Sequence, residues 1–226
     1  MADSVSVFDI FKIGIGPSSS HTVGPMKAAH AFLQSAPDAA RYQVSLFGSL
    51  AWPGEGHGTD SAILLGLAGH QPEAIDPDAI DGILAALRDN ERYEIDFNYD
   101  RELDRHTNGM RFAAFDIDGN IVLEEEWFSL GGGFVARGDE PEPGVRDGEP
   151  RHLFTTSASL LEVAADNDLT IAELVMQNET AWQEGSAVNE GLDTIWAAMK
   201  SCIDRGLSTE GMLPGSLAVK RRAPKL

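Results

Sequence analysis

An α+β fold with a mixed or antiparallel sheet, followed by an all-helical segment, is predicted by three features. Short β-rich runs with apolar alternation interleave with apolar helical stretches over the first 135 residues. Asp118-Gly119 stands between two alternating runs, a strong hairpin signal. Past a Pro-, Gly- and charge-rich stretch at 136–150, the apolar period becomes helical and stays so. These features predict one domain over 1–150 and a helical part over 151–226.

The elements follow in order. VSVFDIFKIG (5–14) reads as a strand running into GPSSSHT (16–22). VGPMKAAHAFLQSA (23–36) is an amphipathic helix, with Ser18, Ser19 or Ser20 as N-cap. YQVSLFGSL (42–50) is a strand, and the Gly-rich turn WPGEGHG (52–58) leads to the helix TDSAILLGLAG (59–69), which Asp60 could cap. Asp76 or Asp78 opens a helix through Leu87, with Ile80, Ile83, Leu84 and Leu87 on one face. RYEIDFNY (92–99) is a strand, and 110–130 is the hairpin. Gly131, Gly132 and Gly133 close it and let another backbone or a ligand come near. Helices are expected over 157–167, 170–183 and 187–206, with LAV (217–219) the next strand-like run. The chain stops at KRRAPKL with no capped end, which reads as a cut rather than a natural finish.

Composition narrows the function. In 226 residues, 36 acids against 17 bases give a net charge of −19, which excludes a general nucleic-acid backbone binder and argues against an anionic membrane surface. No run approaches the ~20 apolar residues of a membrane span, and the N-terminus lacks a signal-peptide pattern. Cys202 is the single cysteine, so disulfide scaffolds are out, as is a cluster held only by this chain's thiolates. A soluble, cytoplasmic protein is expected. His30 and His70 read as structural, Met26, Met176 and Met199 as core filler, and Glu124 to Glu126 as a solvated strand face.

Four stretches could carry chemistry. GPSSSHT puts three hydroxyls, an imidazole and free backbone N–H groups at a strand-to-helix junction, which suits a small anion such as a carboxylate. It is neither a Walker loop nor a dinucleotide fingerprint, since Ser19 stands where the latter needs Gly. The competing reading is an N-cap with His21 as an ordinary helix residue, and the pattern leaves both open. GSLAWPGEGHGTD (48–60) follows a strand and precedes a helix, and its Gly-flanked His57 is either a general base or an exposed loop histidine. DRHTNGMRF places His106 and Asn108 at the hairpin mouth, where Asn108-Gly109 also reads as plain turn chemistry. FSLGGGFV admits a ligand's phosphate or carboxylate, or packs as a bulge. Nucleophile-elbow, zinc-protease and C-x-x-C signatures are absent.

Taken together, SVFDIFKIGIGPSSSHTVGPMKA, GSLA…GHGTD, HTNGMRF and GGGFV resemble the β domain of the single-chain iron–sulfur L-serine dehydratases (L-serine ammonia-lyases). Asn178-Glu179 and the run from Ile195 to Leu226 resemble the opening of that family's catalytic α domain, so the resemblance spans nearly the whole chain. It implies conversion of L-serine to pyruvate and ammonia with a [4Fe–4S] cluster and without pyridoxal phosphate. Its site is implied between the α and β domains. Ser18, Ser19, Ser20, His21 and Thr22 would shape the substrate site, His57 would transfer the proton, and His106 and Asn108 would line the same cleft. The cluster cysteines and the missing α domain would lie beyond Leu226, leaving this chain inactive alone. A homodimer is implied, and Cys202 reads as a buried small residue rather than a ligand. Three positions depart from the family pattern: Pro53 stands for Thr, Thr107 for Pro and Ser216 for Gly.

The first domain is also similar to the allosteric substrate-binding domain of some D-3-phosphoglycerate dehydrogenases, which implies an alternative: sensing L-serine or a small anion without catalysis. A pyridoxal phosphate enzyme is the weakest reading, because none of the five lysines has a recognisable Schiff-base setting.

Overall fold

The computed structural model describes residues 5–52, 58–141, 148–213 and 219–225. The chain separates into two compact units, which do not follow the chain linearly. One comprises Lys12–Pro143 and Glu210–Arg221. The other gathers Met1–Phe11, Gly144–Thr209 and Arg222–Leu226.

The first unit is built on a five-stranded mixed sheet. Helix α2 (Val23–Ser35) precedes β1 (Arg41–Phe47), a 3-10 turn (Gly48–Leu50), α3 (Thr59–Leu67) and α4 (Ile80–Leu87). There follow β2 (Tyr93–Asn98), β3 (Gly109–Phe115), β4 (Ile121–Gly131) and β5 (Phe134–Arg137). The spatial order is β2-β1-β3-β4-β5, with β1 and β2 parallel and the other pairs antiparallel. The parallel pair needs a crossover, and α3 and α4 provide the length for it.

Alternation along β1 and β3 buries one face of the sheet: Tyr42, Val44, Leu46, Met110, Phe112 and Ala114 are all fully buried. Phe32 of α2 meets this face, 5.2 Å from the Phe112 ring and edge-on to Tyr42 at 6.3 Å. Burial raises the pKa of Tyr42, whose hydroxyl donates to the Ala36 carbonyl at 2.6 Å. Helices α2 and α3 approach so closely at Gly66 that a Cβ there would strike the Met26 carbonyl and the Ala29 methyl. Pro25 is tolerated because it lies in the first turn of α2, where N–H groups lack helical partners. The opposite face of the sheet carries charge pairs instead, Arg41–Glu94 and Arg111–Glu126, each at 2.7 Å.

The β3–β4 hairpin turns at Gly119 (φ +84°). The Asp116 carboxylate accepts from Asp118 N, Asn120 N and Asn120 Nδ2 at 2.8–3.0 Å, which holds its pKa below the ordinary value. The stability that this lowered pKa contributes is present at neutral pH and is lost as pH falls through the carboxylate range.

The second unit begins with α1 (Val7–Ile10) and continues with α5 (Ser157–Asp166), α6 (Ile171–Trp182) and α7 (Gly185–Ser208). Here the expected strand over 5–14 is corrected. Ser6 and Asp9 form a capping box that starts α1, and the Ser6 hydroxyl and Val7 N–H donate to the Glu179 carboxylate of α6 at 2.8 and 2.7 Å. Beside it, Asn178 clamps the His152 backbone, accepting from its N–H at 2.7 Å and donating to its carbonyl at 2.9 Å. Among the described residues of this unit, only Ala164, Leu174 and Val188 are buried apolar side chains. Trp196, Met199, Ile203 and Leu207 form an exposed stripe at helical spacing along α7.

Several further expectations are corrected. Met199 is exposed rather than core filler, and Cys202, expected buried, is exposed on α7. Glu124 to Glu126 do not share one solvated face, because strand residues alternate: Glu125 turns inward and accepts from Trp127 Nε1 at 2.9 Å. Strand β5 was not expected at all. No helix among the described residues is long and apolar enough to cross a membrane.

Replacing Glu179 by Ala strands the Ser6 hydroxyl and Val7 amide, at a cost of about 1–3 kcal/mol. Faster hydrogen exchange at Val7 is the expected readout, and unchanged protection there would refute the role of the carboxylate.

Candidate functional site

The sheet unit brings all four chemistry-bearing stretches into one hydrogen-bonded cluster, the 48–60 stretch through Ser49. Residues 18–22 turn into α2: the N–H groups of His21 and Thr22 donate to the Ser18 carbonyl, and that of Gly24 donates to Ser19. Sequence reasoning expected these amides to be free for an anion and a serine to cap the helix. Both expectations are corrected. The loop's own carbonyls take the amides, and the N-cap is Thr22, with no side-chain cap bond. The Thr22 hydroxyl points its single proton backwards, 2.6 Å from both the Ile15 and the Ser18 carbonyl.

From there the side chains close a ring. Ser18 Oγ lies 3.2 Å from Ser20 Oγ, which lies 2.9 Å from His21 Nδ1. His21 Nε2 is 3.1 Å from the main-chain oxygen of Ser49 in the 3-10 turn after β1. The Ser49 hydroxyl donates to Asn108 Oδ1. Asn108 Nδ2 donates to the Ser129 carbonyl of β4 at 2.9 Å, and the Ser129 hydroxyl donates back to the Ser20 carbonyl at 2.7 Å. Ser18, Ser20 and His21 are half-buried, while Asn108 and Ser129 are buried. Asn108-Gly109 is therefore no simple turn. Asn108 also donates its own N–H to His106 Nδ1 at 3.0 Å, which sets that ring beside the cluster.

Two glycines permit the closure. Gly24 lies against Ser129, where a Cβ would overlap Oγ and come within 3.0 Å of the Ser129 Cβ. Gly48 adopts φ +54°, and a Cβ there would strike the Thr107 carbonyl, which accepts from Ser49 N at 3.0 Å. Ser49 and Ser129 were missed in the sequence, because an isolated serine in a strand or turn carries no spacing signal. Ser19 makes only main-chain bonds in this cluster.

The 48–60 stretch is described only in part. His57 and Pro53 lie outside the described residues, as does Ser216. Asp60, expected as a cap, is inside the first turn of α3, and Gly58 is the N-cap at φ +74°. Thr59 beside it is fully buried, and its hydroxyl has no hydrogen-bond partner among the described residues. A buried orphan hydroxyl is costly and is a feature sequence reasoning passed over.

The [4Fe–4S] cluster implied by the resemblance does not fit the residues present. Such a cluster is held chiefly by cysteine thiolates, and the chain has one cysteine, Cys202, on the exposed face of α7. No group of three or more His, Cys, Asp or Glu among the described residues is placed to hold a metal ion. The cluster of hydroxyls, amide and imidazole can do other things: hydrogen-bond a small polar ligand and relay a proton.

Residues 6–140 match the family described as serine dehydratase beta chain. The chain is 41% identical to L-serine dehydratase of Streptomyces coelicolor, covering 97% of this chain and 53% of that protein. It is 38% identical to L-serine dehydratase 1 of Escherichia coli over 98% of this chain and 53% of the relative. The Helicobacter pylori L-serine dehydratase is 35% identical, with 99% and 53% covered. The chain thus spans about half the length of the curated relatives it matches.

A Cβ on Gly24 should displace Ser129, so Gly24→Ala is expected to cost about 1–3 kcal/mol despite alanine's better helix propensity. Adding Ser129→Ala should recover about 1 kcal/mol of that loss in denaturant unfolding. Strict additivity of the two changes would show that the contact is not what the glycine protects.

Proposed function

The chain belongs to the serine dehydratase beta chain family, and from that premise we propose that it is the substrate-shaping half of a cytoplasmic L-serine dehydratase. The observation that carries this reading is the ring joining Ser20, His21, Ser49, Asn108 and Ser129, three of them outside the serine-rich run. A ring of hydroxyl, amide and imidazole donors and acceptors suits a zwitterionic amino acid with a hydroxyl side chain, whose polar groups each need a partner when desolvated.

The proposed reaction removes the Cα proton of L-serine and expels its hydroxyl as water. The resulting aminoacrylate hydrolyses to pyruvate and ammonia, consuming one water in place of the one expelled. Ser18, Ser19, Ser20, His21 and Thr22, with His106 and Asn108, orient the substrate in this reading. His57 takes the proton, a role its position in the Gly-flanked 56–58 segment suits. We assign the iron–sulfur ligands to the second half of the relatives' length, with no pyridoxal phosphate involved. The exposed α7 stripe of Trp196, Met199, Ile203 and Leu207 is where we expect that missing α domain to pack. A homodimer is the assembly proposed.

A second reading, a sensing module for L-serine or a small anion, is favoured by one observation. The ring closes with residues of Lys12–Pro143 alone. Calorimetric titration of this chain with L-serine, and D-serine as control, separates the two. Stereoselective binding supports an unaided site and therefore sensing, and absence of binding supports a half-site.

For the enzyme reading, the chain extended with the second half of the Streptomyces coelicolor relative should release pyruvate from L-serine, and this chain alone should not. In the extended protein, His57→Ala is expected to lower turnover at least ~10²-fold. Undiminished turnover would remove His57 from the role.

A further inference from the structure

With the His21 ring neutral, its bonds to Ser20 and Ser49 have a definite direction. A carbonyl only accepts, so the contact from His21 Nε2 to the Ser49 oxygen at 3.1 Å places the proton of the neutral ring on Nε2. Nδ1 is then a bare lone pair, and Ser20 Oγ, 2.9 Å away, donates to it. A hydroxyl has one proton. With its own committed, Ser20 accepts from Ser18 across 3.2 Å. Ser18, Ser20 and His21 therefore form a one-way chain of donors, and the remaining lone pairs of Ser18 are its open end.

That direction is set from outside the serine-rich segment. Ser49 follows Gly48, whose φ of +54° swings the turn toward residues 107 and 108. Its N–H donates to the Thr107 carbonyl at 3.0 Å and the Thr107 hydroxyl at 3.3 Å, and its hydroxyl donates to Asn108 Oδ1. Asn108 in turn is anchored to β4 through the Ser129 carbonyl. One main-chain oxygen is thus held by side-chain and main-chain bonds to two consecutive residues of another loop.

We propose that Ser49 is a positioning residue: its anchored carbonyl fixes the tautomer of His21 and, through it, the proton direction of the Ser20 and Ser18 hydroxyls. The inference rests on the reading of 18–22 as part of the L-serine site. Its chemical consequence is that Ser20 is polarised by a basic nitrogen, and that Ser18 offers lone pairs suited to the ammonium group of an amino acid.

Nitrogen-15 NMR of the histidine-labelled chain tests this directly, with the His21 signals assigned by their loss in His21→Gln. The neutral wild-type ring should show protonated Nε2 and bare Nδ1. Ser49→Ala keeps the carbonyl but cuts its tie to Asn108, and should shift the two nitrogen resonances toward each other as the tautomers mix. Ser49→Thr, which keeps a hydroxyl, should restore the wild-type pattern. A wild-type ring protonated on Nδ1, or an unaltered pattern in folded Ser49→Ala, would overturn the proposal. Should Ser49→Ala fail to fold, Ser49→Cys replaces it as the weaker donor, with a smaller shift expected and none counting against the idea. L-serine added to the wild-type chain extended with the second half of the relative separates the two readings. Predicted tautomers with His21 signals insensitive to L-serine would sink the site assignment while leaving the positioning role standing.

Discussion

Asn108 is buried, 8% exposed as a residue, so the oxygen and N–H groups of its carboxamide must find partners inside the protein or cost free energy. The partners it finds, the Ser49 hydroxyl and the Ser129 carbonyl, come from the ends of β1 and β4, the two strands that flank β3. Satisfying one buried amide therefore fixes three strand ends relative to one another. Ser129 then carries the restraint to residue 20, so the start of α2 is tied to the same point. The cluster of hydroxyls and imidazole follows from that single requirement.

The sheet makes the requirement affordable. Packing of Phe32 against Phe112 and Tyr42 sets α2 over β1 and β3, and the close contact of α2 with α3 at Gly66 holds it there. Only with α2 seated this way does Gly24 lie on Ser129. Apolar burial supplies the position, and the polar ring supplies the register of the loops. The helical unit is organised differently: with three buried apolar side chains among its described residues, it relies on capping boxes and on the Glu179 and Asn178 clamps.

Much of the architecture was legible in order and type, because alternation and the helical period are local signals. The hairpin at Asp118-Gly119, the helices from Val23 and Thr59, and the three C-terminal helices follow from them. The strand expected at 5–14 failed because alternation over VSVFDIF also fits one helical turn, and Glu179, 173 residues away, settles the matter in favour of the helix. Strand β5 escaped notice because four residues after three glycines are too short for a period to register.

By itself, the sequence determined the local chemistry: most strands and helices from Val23 onward, a strongly negative charge, and hydroxyls, His21, His106 and Asn108 standing in polar loops. It could not determine that Ser49 and Ser129 join them, or that the amides at 21, 22 and 24 are already taken. The amides are taken by carbonyls three to five residues back, in a turn the spacing does not encode, whereas the ring depends on residues 28 to 109 positions apart coming within hydrogen-bond distance. Only the tertiary structure decides that, because the direction of a proton between Ser20 and His21 is set by whichever acceptor the folded chain places on the far side of the ring.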